Sequence, residues 1–224
     1  MNDESVLLLM NGLQSNVNQT LTHLDLSRNR IGDIGARRLA TLLDGGMSQD
    51  STISSKDANG PVGSVLVELI LCDNQIRSAG AAAFGAALAN NRGLKKLDLS
   101  LNSLGEEGGA ALLNGLTQHT TLRSLTLNAC DLGFEAGESL INLMRFNRSL
   151  DSFQLSSNDL NGRDGGAALL DALKANDQIT VLDLRRNGLA AEVESEMRTI
   201  LAKRLALQKQ QARKAFQKDW DAAI

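Results

Sequence analysis

The residues able to do covalent or metal chemistry are few and badly spaced for it. His23 and His119 stand 96 positions apart, and neither begins a His-Glu-x-x-His zinc motif. Cys72 and Cys130 form no Cys-x-x-Cys pair. The glycine pairs Gly108-Gly109 and Gly165-Gly166 lack the Lys-Ser/Thr that completes a phosphate-binding Walker loop. These residues predict no catalytic centre, no metal and no cofactor. What the chain does carry is recognition chemistry. Phe216 and Trp220 lie four apart, on one helical face, beside Arg213, Lys214 and Lys218. An aromatic pair among cations suits an acidic, apolar groove on a protein partner. A second candidate set is Asp25, Asp98 and Asp183, with Arg185 two residues after the last.

The elements that must position these groups come from one repeated pattern, Leu-x-x-Leu-x-Leu-x-x-Asn-x-Leu. Its clearest copy runs from Leu94 to Leu104. Copies begin at Leu21, Leu66, Leu94, Leu122, Leu150 and Ile179. The spacing is 28 from Leu66 to Leu150, then 29, and the first step of 45 is 28 plus a 17-residue insertion. The polar slot reads Asn29, Asn74, Asn102, Cys130, Asn158, Asn187. One such unit cannot bury its own apolar face, so the units must stack. The alternating leucines predict a short strand in each unit. Small residues such as Gly35-Ala36, Gly80-Ala81 and Gly109-Ala110 then open a helix that can approach its neighbour closely.

In this register the two histidines read as repeat positions. His23 falls on an exposed strand face, and His119 takes the place of an asparagine before a strand. Cys130 replaces an asparagine that would bond the backbone of its own loop and of the next. It reads as a buried structural thiol. The outward strand row is Asp25, Ile70, Asp98, Thr126, Gln154, Asp183, flanked by Ser27, Cys72, Ser100, Asn128, Ser156, Arg185. This face lacks Trp, Tyr and exposed Phe, the usual anchors of tight interfaces.

The 28/29-residue period with a helix in each unit resembles the ribonuclease-inhibitor-type leucine-rich repeats, over roughly residues 21–201. The resemblance implies an α/β solenoid. It would be a curved arc with short parallel strands on the concave face and helices on the convex face, closed here by a long C-terminal helix. Members include ribonuclease inhibitor, the GTPase-activating protein for Ran, sensor domains of NOD-like receptors, tropomodulin-like actin regulators and axonemal subunits. They share a scaffold rather than one function. The resemblance therefore implies a non-enzymatic scaffold that binds protein partners within a larger assembly. It points to a cytoskeletal or axonemal setting, and to the cytoplasm, cytoskeleton or cilium axoneme as the location. The alternative it implies is a regulator of a small GTPase, with Arg28 as the candidate residue. The basic end of this chain departs from the acidic tail of that relative.

The organisation follows. Residues 1–20 read as an N-terminal capping helix or half repeat, with Asp3 or Ser5 as its cap. Residues 21–201 hold six repeats with an insertion at about 44–63. That insertion is rich in Ser, Gly and Asp, and offers Ser48, Ser51, Thr52, Ser54 and Ser55 as modification sites. Residues 202–224 form a basic helical tail. Between Lys203 and Lys218 there are six basic residues and no acid, so a net charge of −3 leaves −9 on the rest. That charge argues against nucleic acid or an acidic membrane as partner. The lack of clustered cysteines at the ends and the missing signal peptide fit a reducing compartment. The glycosylation triplets at Asn18 and Asn147 read as chance matches.

Overall fold

The computed structural model describes residues 1–14, 20–43, 65–160, 164 and 166–222. The insertion and its serines therefore lie outside the described residues. Helices and strands alternate along the chain: α1 (Asp3–Gln14), β1 (His23–Asp25), α2 (Asp33–Leu43), β2 (Glu68–Ile70), α3 (Ser78–Asn90), β3 (Lys96–Asp98), α4 (Gly105–Leu116), β4 (Ser124–Thr126), α5 (Gly133–Phe146), β5 (Ser152–Gln154), α6 (Ala167–Ala175), β6 (Val181–Asp183) and α7 (Ala191–Ala222). All six strands are parallel and stack in chain order. The fold is a leucine-rich-repeat solenoid.

Strand register follows the repeat. Leu24, Leu69, Leu97, Leu125, Phe153 and Leu182 pair across the sheet and point to the core, while Asp25, Ile70, Asp98, Thr126, Gln154 and Asp183 pair on the outer side. A parallel sheet needs a crossover between strands, and α2 to α6 supply the five. Leu69, Leu97, Leu125 and Phe153 are at most 1% exposed. Burying such a side chain contributes roughly 1.5–3 kcal/mol, and the leucine layers form one continuous core.

Two ladders of side-chain bonds seal the edges. At the strand exits, Asn74 Nδ2 donates to Leu71 O at 3.0 Å and to Leu26 O at 2.9 Å, while its Oδ1 accepts from Ile31 N. Asn102 repeats this with Leu99, Leu71 and Ile76. Each asparagine thus ties its own loop to the one before it, not to the next, because the preceding carbonyl faces it along the stack. The loop turns sharply to present the asparagine. The residue just before each slot, Arg28, Asp73, Leu101, Ala129, Ser157 and Arg186, is left-handed, with φ between 51° and 61°. A second ladder runs where helices enter strands. Asn147 Oδ1 accepts from Ser149 N and Leu150 N, and its Nδ2 donates to Leu116 O.

Helix ends and contacts correct one expectation. Neither Asp3 nor Ser5 caps α1: Asn2 Oδ1 accepts from Ser5 N at 3.1 Å. Asp3 lies inside the first turn and faces the next unit, where Oδ1 accepts from Gly32 N at 2.7 Å. Asp33 does the same for α3, accepting from Arg77 N and Gly80 N. The small residues bring helices together as expected. A Cβ on Gly80 would stand 2.9 Å from Ala36 Cβ, and one on Gly115 would overlap the Gly85 carbonyl.

Candidate functional site

The outer face of the sheet carries the acidic candidates, and its own backbone already uses them. Asp25 Oδ1 accepts from Ser27 N at 2.9 Å and from Ser27 Oγ at 2.6 Å. The Ser27 hydroxyl and amide hold the Asp25 carboxyl below the usual carboxylate range. Asp98 Oδ1 accepts from Ser100 N at 2.9 Å. Asp183 takes Arg185 N and closes a bidentate pair with the guanidinium, Nε to Oδ1 at 2.8 Å and Nη2 to Oδ2 at 2.7 Å. That hydrogen-bonded guanidinium lowers the Asp183 pKa. In each case an aspartate at the strand exit binds the amide two residues on, a local turn that short acidic side chains favour. The surface there is less acidic than its composition implies. Beside it, Glu68 stands 3.6 Å from both His23 and Lys96 across the strands, and Lys96 balances its charge.

The two singled-out repeat positions differ. Cys130 is fully buried, and its thiol donates to Leu99 O at 3.2 Å. Burial pushes the thiol up to about 12, which leaves it inert at neutral pH. Cys72 is half-buried, and burial followed by Asp98 and Asp73 raises its pKa also. His119 Nδ1 accepts from Leu122 N at 3.0 Å, in the manner of the ladder asparagines, but its buried Nε2 has no partner. Arg28 shares its left-handed backbone with five equivalent residues, so its conformation is that of the repeat rather than of a special finger.

The C-terminal helix is the distinctive feature. α7 spans 32 residues. Its first turns dock on the last layer: Met197 is 4% exposed, and Val193, Ile200 and Leu201 pack partly against the core. Arg204 is the last anchor, donating to Leu173 O at 2.7 Å and Ile179 O at 2.9 Å. Between β6 and this docked part lies a groove of about 420 Å³, walled by Leu182, Leu184, Leu189, Met197 and Leu201. From Leu205 to Gln217 every side chain is exposed, including Arg213 and Lys214. Phe216 and Trp220 are 70% and 59% exposed, and their rings stack at 6.4 Å between centroids with a 27° interplanar angle. They pair with each other and do not fold back on the repeats. The side chain of Lys218 lies outside the described residues.

The site residues expected from sequence do not form one site. Asp25 lies on the first strand of the sheet, Asp183 and Arg185 lie on and just after the last, and Arg213, Phe216 and Trp220 stand on the projecting helix. Sequence reading missed Leu207, which is 54% exposed and lies on the side of α7 opposite Phe216. Among the described residues no element covers it, and only the structure shows that. Among the described residues no His, Cys, Asp and Glu group is placed to hold a metal ion, and no helix is long and apolar enough to cross a membrane.

Comparison with known proteins agrees with this geometry. A family model described as Leucine Rich repeat matches residues 17–40 and 90–113. Those two matches agree with the leucine-rich-repeat solenoid that the strands and helices build. No curated protein matches the chain. A solved structure titled Leiomodin-1 Actin-Binding Site 2 is similar to it, with a TM-score of 0.56 and 14% identity, over 94% of this chain and 95% of that one. At that identity the likeness is one of fold.

Proposed function

We propose that this protein is a non-enzymatic interaction scaffold of ribonuclease-inhibitor-type repeats that docks into a larger assembly through α7. The observation that carries this reading is the exposed, stacked Phe216–Trp220 pair on a basic helix that projects past its last anchor, Arg204. The solenoid supplies a rigid base, and its anchor-poor strand face adds a weaker second contact. A cytoskeletal setting is the first to test, because the similar solved structure carries an actin-binding title. The acidic solenoid and basic tail make an oriented charge pair, which steers a partner's acidic surface to the tail.

Cosedimentation with filamentous actin tests the setting, and deletion of Gln208–Ile224 tests the tail. The full chain is expected in the pellet and the deletion variant in the supernatant. A full chain left in the supernatant removes the cytoskeletal setting. A deletion variant that pellets as well as the full chain removes the tail from the docking role.

A further inference from the structure

We infer, on the reading of α7 as the docking helix, that the same helix is the binding site of a two-lobed, calcium-loaded EF-hand protein that regulates the docking. The argument begins with the two-sided distribution of its apolar residues. Leu205, Phe216 and Trp220 are 41%, 70% and 59% exposed and follow one side. Leu207, 54% exposed, precedes Phe216 by nine residues, which is two and a half turns and so the opposite side. A filament surface or a single groove covers one side and leaves the other in water. Two lobes closing from both sides cover all four.

The helix permits such closure. Every side chain from Leu205 to Gln217 is exposed among the described residues, so both sides of that stretch are open to a partner. From Leu205 to Ala222 it extends about 27 Å, at 1.5 Å per residue. Arg204 holds the base, so the solenoid stays outside the clamp. The helix is already formed, which reduces the ordering cost of binding.

Charge selects the acceptor. Beyond the anchor, Lys209, Arg213, Lys214 and Lys218 outnumber Asp219 and Asp221, so this stretch favours an acidic partner. Calcium-loaded sensor EF-hands expose a Met-rich groove, and flexible thioethers accept Leu, Phe and Trp alike. Basic helices with spaced bulky apolar anchors suit such grooves.

Trp220 is the only tryptophan and reports directly on the proposed site. The full chain is titrated with a tryptophan-free calmodulin, in calcium and then in excess chelator. The expected result is a blue shift of emission saturating at one to one in calcium and reversed by chelator. Leu207→Ala and Phe216→Ala should each weaken binding by about tenfold or more. Both positions are exposed, so circular dichroism should show an unchanged fold. No shift in calcium, a shift equally large in chelator, or full affinity in Leu207→Ala each overturns the proposal. Actin pelleting that depends on the tail, together with an unmoved Trp220, leaves the docking helix intact and removes the calcium sensor alone.

Discussion

At the scale of single residues, the informative positions are those where one repeat departs from the others. His119 fills an asparagine place, accepting backbone bonds through Nδ1 and leaving Nε2 buried without a partner. Asn147 and Asn176 use Nδ2 in the same place to reach the preceding helix end at Leu116 O and Met144 O. His119→Asn should recover this bond to Leu88, one repeat before Leu116, and raise stability at pH 8 by about 1 kcal/mol in denaturant melts. A lower midpoint would refute it. Burial, with Arg92 and then Arg123 nearby, pushes the imidazole down to about 4. The unfolded chain protonates near 6.5 and the folded chain only near 4, so protons favour the unfolded state across that window. Stability should therefore fall between about pH 6.5 and 4, by roughly 3 kcal/mol, and His119→Asn should flatten that part of the profile. The thiols differ likewise. A thiol reagent on the native protein should label half-buried Cys72 and spare Cys130, as peptide mapping would show. Asn147 is 2% exposed, with its amide committed to Leu116 and His119 carbonyls, so its triplet offers no free acceptor for a glycan.

At the scale of elements, close approach and anchoring set stability. α3 and α4 meet backbone to backbone at Gly85, Gly108 and Gly115. Gly115→Ala puts a methyl into the Gly85 carbonyl, and backbone cannot yield as a side-chain tip can. The expected loss is about 2 kcal/mol or more, read as a lower melting midpoint. An unchanged midpoint would mean the helices part at no cost. α7 depends on Arg204, whose guanidinium bonds two carbonyls, one near the end of α6 and one just before β6. Arg204→Met keeps the stem and removes both bonds. Hydrogen exchange over residues 191–204 should accelerate, while that of β3 and β4 stays as it was. Equal protection in the variant would show that Met197 and Leu201 suffice.

At the scale of the molecule, α7 covers the last layer as far as Arg204 and then carries an exposed stretch outside the core. Since side chains from Leu205 to Gln217 touch little of the repeats, deleting Gln208–Ile224 should leave the melting midpoint in place. A marked fall would place the tail in the fold itself. The solenoid was largely legible beforehand: stacking order, strand register and inward leucines follow from a period that recurs six times. The cap on α1 was not, because Asp3 and Ser5 suit the role as well as Asn2, and only packing shows Asp3 turned to the next unit.

The sequence by itself determined the repeat, and with it the parallel sheet, the helices and the asparagine ladder. Each unit must bury the same leucines against a copy of itself, and only one stacking does that. It also marked the aromatic, basic end as different. Tertiary structure alone decided how the surface charges act and where the repeats release α7. Aspartates spaced along a strand face look available until Ser27, Ser100 and Arg185 are seen to hold them. A helix-forming tail looks the same docked or free until its last anchor is found at Arg204. Both depend on which groups lie within a few ångströms, and distance in the chain does not encode that.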